Sequence, residues 1–526
     1  MRYAFWRTMV GLALALLGTG MVWPAARWGW LGLAPCLLLG LYDSLQRRHA
    51  ILRNFPVLGH IRYLLEGLRP EIRQYFIESD TDGVPFDREK RSIVYQRAKG
   101  QLDTLPFGTQ VNVYAVGYEW IEHSLMPQPV ASPPRITIGG ETCQQPYAAS
   151  LLNISAMSFG ALSHRAILAL NQAALAGGFY HNTGEGGLSP YHLEPGGDLV
   201  WQLGTGYFGC RTPEGGFDAA LFAQRAAAPQ VKMIELKLSQ GAKPGHGGIL
   251  PASKLTPEIV AIRNVQPGRD VVSPPAHTAF RTPVGLLEFL AELRQLSGGK
   301  PVGFKLCIGR PHEFLAIVRA MLETGLTPDF ITVDGAEGGT GAAPMEFSDS
   351  VGTPLREGLS LVHNALLGAG LRHRVRLIAA GKITTGFHLA SLLALGADVC
   401  NCARGMMFAL GCIQALRCNN NTCPTGITTQ DPELMAGLVI GDKAPRVAHF
   451  HRETVHSLLE VTAAAGLASP QDLRPEHIQR RTSTTEVQSF AQIYPRLETG
   501  ALLTEALPPA WAAVWGRARA STFISA

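Results

Sequence analysis

The chain has 526 residues, enough for more than one ordinary domain and for a sizeable core. Its formal net charge of +5 is modest, and no block of lysine and arginine and no basic aromatic stripe occurs, which argues against a nucleic-acid partner. The 57 glycines show no collagen-like period and cluster in short runs between apolar segments. Such runs indicate loops that pass close to a ligand.

Two charge-free apolar runs lie near the N-terminus, at residues 8–23 and 28–42. Each is shorter than the roughly 20 residues of an untilted membrane helix, so a signal peptide and a buried helical pair are alternatives. The second run has no clean cleavage site before it, which favours a retained transmembrane helical hairpin over residues 1–48. Arginines flank both ends of this segment, and the positive-inside rule then places the main domain in the cytoplasm. We therefore expect a protein held at the inner (cytoplasmic) membrane.

The pattern beyond residue 130 is typical of an α/β domain. Residues 49–130 are mixed in character, and we interpret them as a connector that packs on that domain. Short apolar runs then alternate with helical patterns, which predicts a (β/α)8 barrel of the TIM type over residues 131–500 and a tail at 501–526. A doubly wound open sheet is the alternative, although no early GxGxxG motif supports a Rossmann domain. The eight runs are 151–156, 199–203, 231–238, 270–273, 302–307, 330–334, 375–380 and 398–403.

Polar and glycine-rich segments follow most of these runs, where a barrel has its active-site face. A phosphate commonly binds at the loops after the seventh and eighth strands. A phosphorylated cofactor held there would extend its ring over the barrel mouth, although lysine and arginine in such loops are also often only solvated charges. The phosphate-binding candidates are Gly381, Lys382, Arg404 and Gly405, and the residues expected at the mouth are Met157, Ser158, Gln202 and Lys305.

Three of the nine cysteines, Cys412, Cys418 and Cys423, lie close together late in the chain. This placement is typical of a metal site in a reducing compartment rather than of a disulfide framework. Zinc would need a fourth ligand, and no His, Asp or Glu lies between Cys412 and Gln430, although Cys402 or a distant residue could supply one. Ligation by thiolates alone suits iron–sulfur clusters, and three ligands fit a three-iron, four-sulfur cluster.

From about residue 131 to residue 435 the chain resembles the FMN-binding synthase domain of glutamate synthase. The resemblance implies a barrel that binds FMN and a [3Fe-4S] cluster on the three cysteines. It also implies reductive amination of 2-oxoglutarate to L-glutamate, through 2-iminoglutarate formed with ammonia. The motifs that carry it are AMSFG at 156–160, NTGEGG at 182–187, QGAKPGHGG at 240–248, SPP at 273–275, DGAEGGTGAAP at 334–344 and CIQALRCNNNTCPTGITTQDP at 412–432.

The resemblance also assigns roles to single residues. Glu185 is the candidate for positioning ammonia or moving protons, Lys305 for stabilising charge on the flavin, and Lys237 is a third catalytic candidate. A solvated surface ion pair is the alternative for Lys237 and for Arg263. The substrate-binding candidates are Gln240, Lys243, Arg263 and Met157. The cofactor-binding candidates are Ala156, Met157, Ser158, Gln202, Lys305, Asp334, Gly338, Gly339, Thr340, Gly381, Lys382, Arg404 and Gly405.

Three features depart from the family pattern. The chain begins Met1-Arg2-Tyr3 instead of with a catalytic cysteine on a glutaminase domain, no NAD(P)H-binding region is visible, and His246 stands where an acidic residue is expected. We therefore expect a stand-alone, membrane-tethered oxidoreductase of the CH–NH2 class, working in the synthetic direction. Its electron donor is external, and its ammonia comes from solution or from a glutaminase partner. The alternatives are an FMN/iron–sulfur oxidoreductase for another keto acid or imine, and an electron-transfer subunit of a membrane complex.

Overall fold

The computed structural model describes residues 2–524. The chain divides into two units, Met1–Glu89 and Lys90–Ala526, and the division falls inside the predicted connector. The first unit is helical. Its elements are the α-helices Arg2–Val22, Trp30–Leu45, Ala50–Asn54 and Gly59–Ile72, the 3-10 helix Pro24–Gly29 and the π-helical turn Arg73–Ile77.

The first two helices form the hairpin that the sequence predicts. The Phe5 ring lies against Gly40, where a Cβ atom would come within 2.5 Å of it, and Leu16 lies similarly against Gly29. Small residues at these points let the two backbones approach closely. Within residues 2–524, Arg2–Val22 is the single helix long and apolar enough to cross a membrane, a test that an N-terminal signal sequence also passes. The helical hairpin is confirmed, whereas its insertion into a membrane stays a prediction.

The second unit is built around a closed barrel of eight parallel strands. Its strands are buried along almost their whole length and rich in Val, Ile, Leu and Phe, as expected for parallel strands covered on both faces. The (β/α)8 prediction is therefore confirmed and the open sheet is excluded. In chain order the strands are β1 (Leu152–Ile154), β2 (His181–Asn182), β3 (Leu199–Leu203), β4 (Val231–Lys237), β5 (Val302–Leu306), β6 (Phe330–Asp334), β7 (Arg376–Ala380) and β8 (Val399–Cys402).

Helices and three small sheets surround the barrel. The long helix Ile440–Ala464 packs against His164–Gly177 and Gly386–Ala394. The small sheets pair Glu119–Ile121 with Ile478–Arg481 and Val487–Ser489, Ile136–Ile138 with Tyr147–Ala149, and Ile249–Leu250 with Val271–Val272. The remaining α-helices are Arg88–Lys99, Pro190–Leu193, Ala219–Ala226, Pro257–Arg263, Pro283–Leu296, Pro311–Thr324, Met345–Ser350, Leu355–Gly368, Arg404–Leu410, Pro432–Ala436, Phe490–Ile493 and Pro509–Arg517.

One predicted barrel strand is wrong. Val271–Val272, within the predicted run 270–273, pairs antiparallel with Ile249–Leu250 outside the barrel. The second barrel strand is instead His181–Asn182, which pairs with β1 and β3. It escapes detection because it is two residues long and polar, so no apolar run marks it. The NTGEGG motif therefore leaves the barrel directly from β2.

Polar side chains fill part of the barrel interior. The fully buried carboxylate of Glu235 on β4 accepts hydrogen bonds from Asn182 on β2 (2.8 Å), Gln202 on β3 (2.6 Å) and Thr332 on β6 (2.6 Å). A buried carboxylate is costly unless its oxygens are satisfied, and three donors satisfy these. The cluster therefore ties four strands together at one height in the barrel.

The contact between β5 and β6 leaves no room for a side chain at Gly303. A Cβ atom there would collide with the carbonyl oxygen of Phe330 and lie 2.6 Å from its ring. We expect Gly303→Ala to destabilise the protein by about 1–3 kcal/mol, because the strands must separate to admit the methyl group. Gly309→Ala is the matched control, since nothing lies within 4 Å of a Cβ at that exposed site. Thermal unfolding of the full chain measures both, and equal unfolding temperatures would contradict the prediction.

Candidate active site

Loops from the carboxyl ends of the barrel strands converge on one face of the barrel. There the Lys237 ammonium lies 2.8 Å from Glu185 Oε1 and donates to Gln240 Oε1 at 2.5 Å. Lys237 ends β4, whereas Glu185 belongs to the loop after β2. Lys237 is 9% exposed and Arg263 4%, so the solvated surface pair considered for them is excluded.

The Glu185 carboxylate is held in a tight enclosure of backbone. A Cβ atom on Gly204 would lie 2.6 Å from its Oε2, and one on Gly248 would collide with its Oε1. Burial raises the pKa of Glu185, but Lys237 and then two further cations act in the opposite direction and hold it below its ordinary value. Glu185 is therefore ionised at neutral pH.

Arg263 lies behind this pair. One terminal N–H group donates to the Phe159 carbonyl oxygen at 3.1 Å, and the guanidinium lies 5.2 Å from the centre of the Phe208 ring. Its buried Nε atom has no hydrogen-bond partner among residues 2–524. Burial lowers the pKa of Arg263 to about 10, and Glu185 opposes that change. Arg263 therefore keeps its charge and has one unused donor in the buried part of the site.

Lys243 joins two loops of the barrel mouth. Its side chain is 2% exposed and donates to the Ala342 carbonyl oxygen at 2.8 Å, so the loop after β4 is attached to the loop after β6. Burial lowers the pKa of Lys243 to about 8, while Glu185 raises it and Lys237 lowers it further. The charge of this lysine is therefore sensitive to pH in the range just above neutrality.

A second ion pair lies at the ends of β5 and β6. The Lys305 ammonium is 3.1 Å from Asp334 Oδ2, which also accepts from the Gly241 N–H group at 2.9 Å. Burial lowers the pKa of Lys305, but Asp334 and Glu235 outweigh burial and hold the pKa above its ordinary value. Asp334, predicted at the cofactor, is thus engaged with a lysine and a backbone amide.

The AMSFG segment lies directly against the loop that carries Glu185. The Met157 N–H group donates to the Asn182 carbonyl oxygen at 3.1 Å, and a Cβ atom on Gly184 would lie 2.9 Å from the Ser158 nitrogen. Met157 is buried, whereas Ala156 and Ser158 are half-buried. Gln202 is buried lower in the barrel, with its amide on Glu235. The predicted mouth residues therefore lie at two different depths.

The predicted phosphate loops meet through Arg404. Its guanidinium donates to the Glu337 carbonyl oxygen at 2.5 Å, and a Cβ atom on Gly339 would lie 2.7 Å from its Nε. Lys382, Gly339 and Thr340 are exposed at this edge. The other candidate glycines allow close packing. An added Cβ atom on Gly381 would press against Leu355, one on Gly405 against Cys402, and one on Gly338 against Asp334.

The three clustered cysteines line one narrow cavity with apolar neighbours such as Met407 and Ile427. Within residues 2–524, no three His, Cys, Asp or Glu side chains are grouped so as to hold a single metal ion. The Cys402 thiol, weighed as a fourth zinc ligand, is buried and lies 3.1 Å from the Ile383 carbonyl oxygen. In a cluster each thiolate binds a different iron, so its ligands lie further apart than those of one zinc ion.

The backbone of the cysteine loop is strained. Gln414, Leu416 and Asn421 adopt the left-handed conformation, with φ values of 57°, 56° and 64°. Such strain costs of order 1–3 kcal/mol for a residue and is often found in loops that bind a ligand. The cysteine thiols also differ, because burial raises the pKa of Cys412 to about 12. In Cys423 burial raises the pKa, but hydrogen bonds from Thr425 and Thr428 outweigh it and leave the pKa below its ordinary value.

Sequence reasoning missed two residues that support this site. The Nε2–H group of His277 donates to the Lys237 carbonyl oxygen (2.8 Å), and its Nδ1 accepts from the Tyr207 hydroxyl (3.0 Å). Its only signal in the sequence was the SPP motif just before it. Burial lowers the pKa of His277 to about 4, so its ring is neutral. Glu235 is the other, and its signal was an acid inside an otherwise apolar strand.

Comparison with known proteins identifies the family of the chain. Residues 123–468 match the family model described as the conserved region in glutamate synthase. The chain belongs to the glutamate synthase family. The glutamate synthase large subunit-like protein YerD of Bacillus subtilis is 39% identical over 481 residues, which cover 84% of this chain and 91% of that protein.

Other relatives are matched over part of their length. The archaeal glutamate synthase (NADPH) of Methanocaldococcus jannaschii is 36% identical over 323 residues, and the chain spans about 60% of that protein. Among solved structures, a flavocytochrome b2 variant with pyruvate bound aligns with a TM-score of 0.41 and 12% identity, covering 80% of this chain and 85% of that chain. A mandelate oxidase variant with (S)-mandelic acid aligns with a TM-score of 0.43 and 14% identity, covering 82% and 98%. These two are distant similarities.

Proposed function

We propose that this glutamate synthase family member aminates 2-oxoglutarate, or a similar keto acid, to the amino acid, using external ammonia and an external electron donor. The observation that carries the proposal is the buried group of Lys237, Lys243 and Arg263 around the single carboxylate of Glu185. Three cations around one carboxylate leave an excess of two positive charges. A dicarboxylate anion would neutralise that excess, since buried charges need partners.

Each of these side chains has a distinct task toward such a substrate. Arg263 has an unused N–H donor and Lys243 a charged ammonium near neutrality, which suits them to bind carboxylate groups. The ionised Glu185 accepts hydrogen bonds and therefore attracts ammonium to the same place. His277 fixes the backbone of Lys237 and so keeps that ammonium on Glu185. A pure electron relay needs no such anion pocket.

The residues at the barrel mouth fit an FMN molecule. Arg404 and the exposed Lys382, in the segments after β8 and β7, are the residues that we assign to the FMN phosphate, and the half-buried Ala156 and Ser158 border the mouth. Lys305 keeps its ammonium charged and would stabilise negative charge on a bound flavin. FMN, when bound, supplies the hydride that reduces the imine.

The cysteine loop fits an iron–sulfur cluster with three thiolate ligands. The thiols of Cys412, Cys418 and Cys423 share one cavity, whose lining in the described part of the chain includes no His, Asp or Glu, and the loop backbone is strained. A [3Fe-4S] cluster, when bound, supplies one-electron transfer.

The N-terminal unit supports attachment to the cytoplasmic membrane, with the barrel on the cytoplasmic side. The apolar side chains of Leu14, Leu17, Leu31 and Leu38 on the hairpin are more than half exposed, and Arg47 and Arg48 follow it. Exposed apolar surface of this kind is stable in lipid, and flanking arginines stay on the cytoplasmic side. A membrane-held barrel of this kind takes electrons from a separate donor and ammonia from solution or a glutaminase.

The central experiment measures flavin content and substrate-dependent flavin oxidation. We expect anaerobically purified full-length protein to release about one FMN per chain on acid treatment. After reduction by dithionite, its flavin should be reoxidised by 2-oxoglutarate with ammonium, and slowly or not at all by pyruvate, which has one carboxylate fewer. FAD, an absent flavin, or equal rates with both keto acids would contradict the proposal.

The pH dependence of substrate binding tests Lys243. The pKa of Lys243 is about 8, so its positive charge is present below pH 8 and lost as the pH rises through that value. With un-ionised ammonia held constant, we expect KM for 2-oxoglutarate to rise about tenfold between pH 7 and pH 9, with kcat little changed. In Lys243→Arg the guanidinium stays charged and this rise should disappear. The same rise in both proteins would show that another group is responsible.

Metal analysis tests the cysteine loop. We expect about three iron atoms per FMN in protein prepared without oxygen, and fewer than one in Cys418→Ser, because the substitution removes a soft thiolate ligand. Cys143→Ser is the control, since that thiol lies near the Gly299 carbonyl oxygen and lines no cavity with the other three. Stoichiometric zinc without iron would refute the cluster.

Cell fractionation tests the membrane hairpin. We expect the full-length protein to sediment with membranes and to need detergent, not salt, for release. Leu14→Asp should increase the soluble fraction, because an aspartate near the middle of a membrane helix costs about 3 kcal/mol. Leu125→Asp, at an exposed site outside the hairpin, should leave the distribution unchanged. Soluble protein in cells expressing the unaltered chain would contradict the proposal.

A further inference from the structure

A buried lysine outside the substrate pocket is bound to the cysteine loop. Lys254 ends the 3-10 turn Ala252–Lys254 and is 3% exposed. Its Nζ donates to the carbonyl oxygens of Cys418 (2.7 Å), Thr428 (2.7 Å) and Ala161 (3.2 Å). Three carbonyl acceptors require three N–H donors, so the side chain is an ammonium with no donor left for a substrate.

The positive charge of Lys254 has no carboxylate to balance it. Within the described residues 2–524, its ammonium is in no ion pair. Burial lowers the pKa of Lys254, and the thiols of Cys418 and Cys423 are the ionisable groups that oppose this change. Carbonyl dipoles replace part of the lost hydration, but a buried charge without a counter-charge remains costly. A group of opposite charge is therefore expected close to it.

An iron–sulfur cluster held by three thiolates is such a group. It is negatively charged as a whole, and reduction adds one more negative charge. We infer that Lys254 is a positioning residue that fixes the cysteine loop and raises the reduction potential of its cluster. This inference rests on the cluster of the proposed function and assigns a role to a residue outside its ligands.

The contacts of the turn explain how the loop is fixed. Besides the bonds of Lys254, the Asn421 side-chain amide donates to the Ser253 carbonyl oxygen at 3.3 Å. The turn therefore holds the loop beside Cys418 and at Asn421, while the bond to Ala161 attaches it to the segment that follows AMSFG. One ammonium thus joins the cysteine loop, the loop after β4 and the loop after β1.

The redox step needs only one electron. In a titration with dithionite, the cluster gains that electron, dithionite is oxidised, and no bond to Lys254 forms or breaks. With the titration held at pH 7, Lys254 keeps its proton in both oxidation states, because all three N–H groups remain on carbonyl oxygens. A fixed positive charge stabilises the more negative, reduced cluster, so its removal favours the oxidised form.

The test compares Lys254→Met with Lys300→Met in full-length protein. Lys300 is the matched control, because it is also buried and its ammonium also donates to backbone carbonyl oxygens, those of Ala226 and Ala228. Redox titration followed by electron paramagnetic resonance gives the cluster potential. We expect Lys254→Met to shift the one-electron equilibrium about tenfold toward the oxidised cluster, which is about 59 mV, and Lys300→Met to leave it unchanged.

The remaining outcomes are also decisive. If Lys254→Met lacks iron, retention of a cluster with the unaltered potential in Lys254→Arg supports the role of the charge. Loss of iron in both Lys254→Met and Lys254→Arg overturns the inference. So does an unaltered cluster potential in Lys254→Met, or an equal shift of the potential in Lys300→Met. Absence of iron from the unaltered protein would instead refute the proposed cluster itself, so the two failures are distinguishable. Thermal unfolding of each variant shows separately whether the chain remains folded.

Discussion

The hydrogen bonds of the Glu235 carboxylate set the positions on which the site depends. They join β2, β3, β4 and β6 inside the barrel, where a slip of one residue would turn Glu235 outward and leave it unsatisfied. Because side chains alternate along a strand, Lys237 lies on the same face as Glu235, one step closer to the mouth. Lys305 pairs in register with Lys237 on one side and with Thr332 on the other. Both lysines are thereby brought to the same height.

Above that layer, the buried charges divide into balanced and unbalanced groups. The pairs Lys237–Glu185 and Lys305–Asp334 are balanced by direct contact. Lys243, Arg263 and Lys254 are buried without a carboxylate within ion-pair distance in the described chain, and each donates to backbone carbonyl oxygens instead. Carbonyl dipoles offset only part of the cost of a buried charge, and a ligand of opposite sign would stabilise it further. The first two are therefore the basis of the proposed anionic substrate, and the third is the basis of the inference about the proposed cluster.

Much of the fold could be predicted because its signals are local. Seven of the eight strands form long apolar runs that a period of two or full burial reveals. The remaining strand, β2 (His181–Asn182), is set by pairing with its neighbours and by the hydrogen bond from Asn182 to Glu235. Neither interaction is visible in a two-residue window. The role of a glycine is hard to predict from sequence for a related reason. Gly204 leaves room for the Glu185 carboxylate, whereas Gly405 leaves room for the Cys402 thiol. The difference lies in the neighbour and not in the glycine.

The sequence by itself determined the family, the barrel and the residues that could bind ligands or take part in a reaction. It could do so because motif spacing and apolar periodicity are properties of the chain. Only the tertiary structure decided which of those residues meet. Barrel closure brings Lys254 to Cys418 across 164 positions and Glu185 to Lys237 across 52. It also distinguishes Asp334, which is engaged with Lys305, from Arg263, which keeps an unused donor. Such contacts depend on strand register and loop packing. Both are set by interactions throughout the barrel and leave no local signal in the sequence.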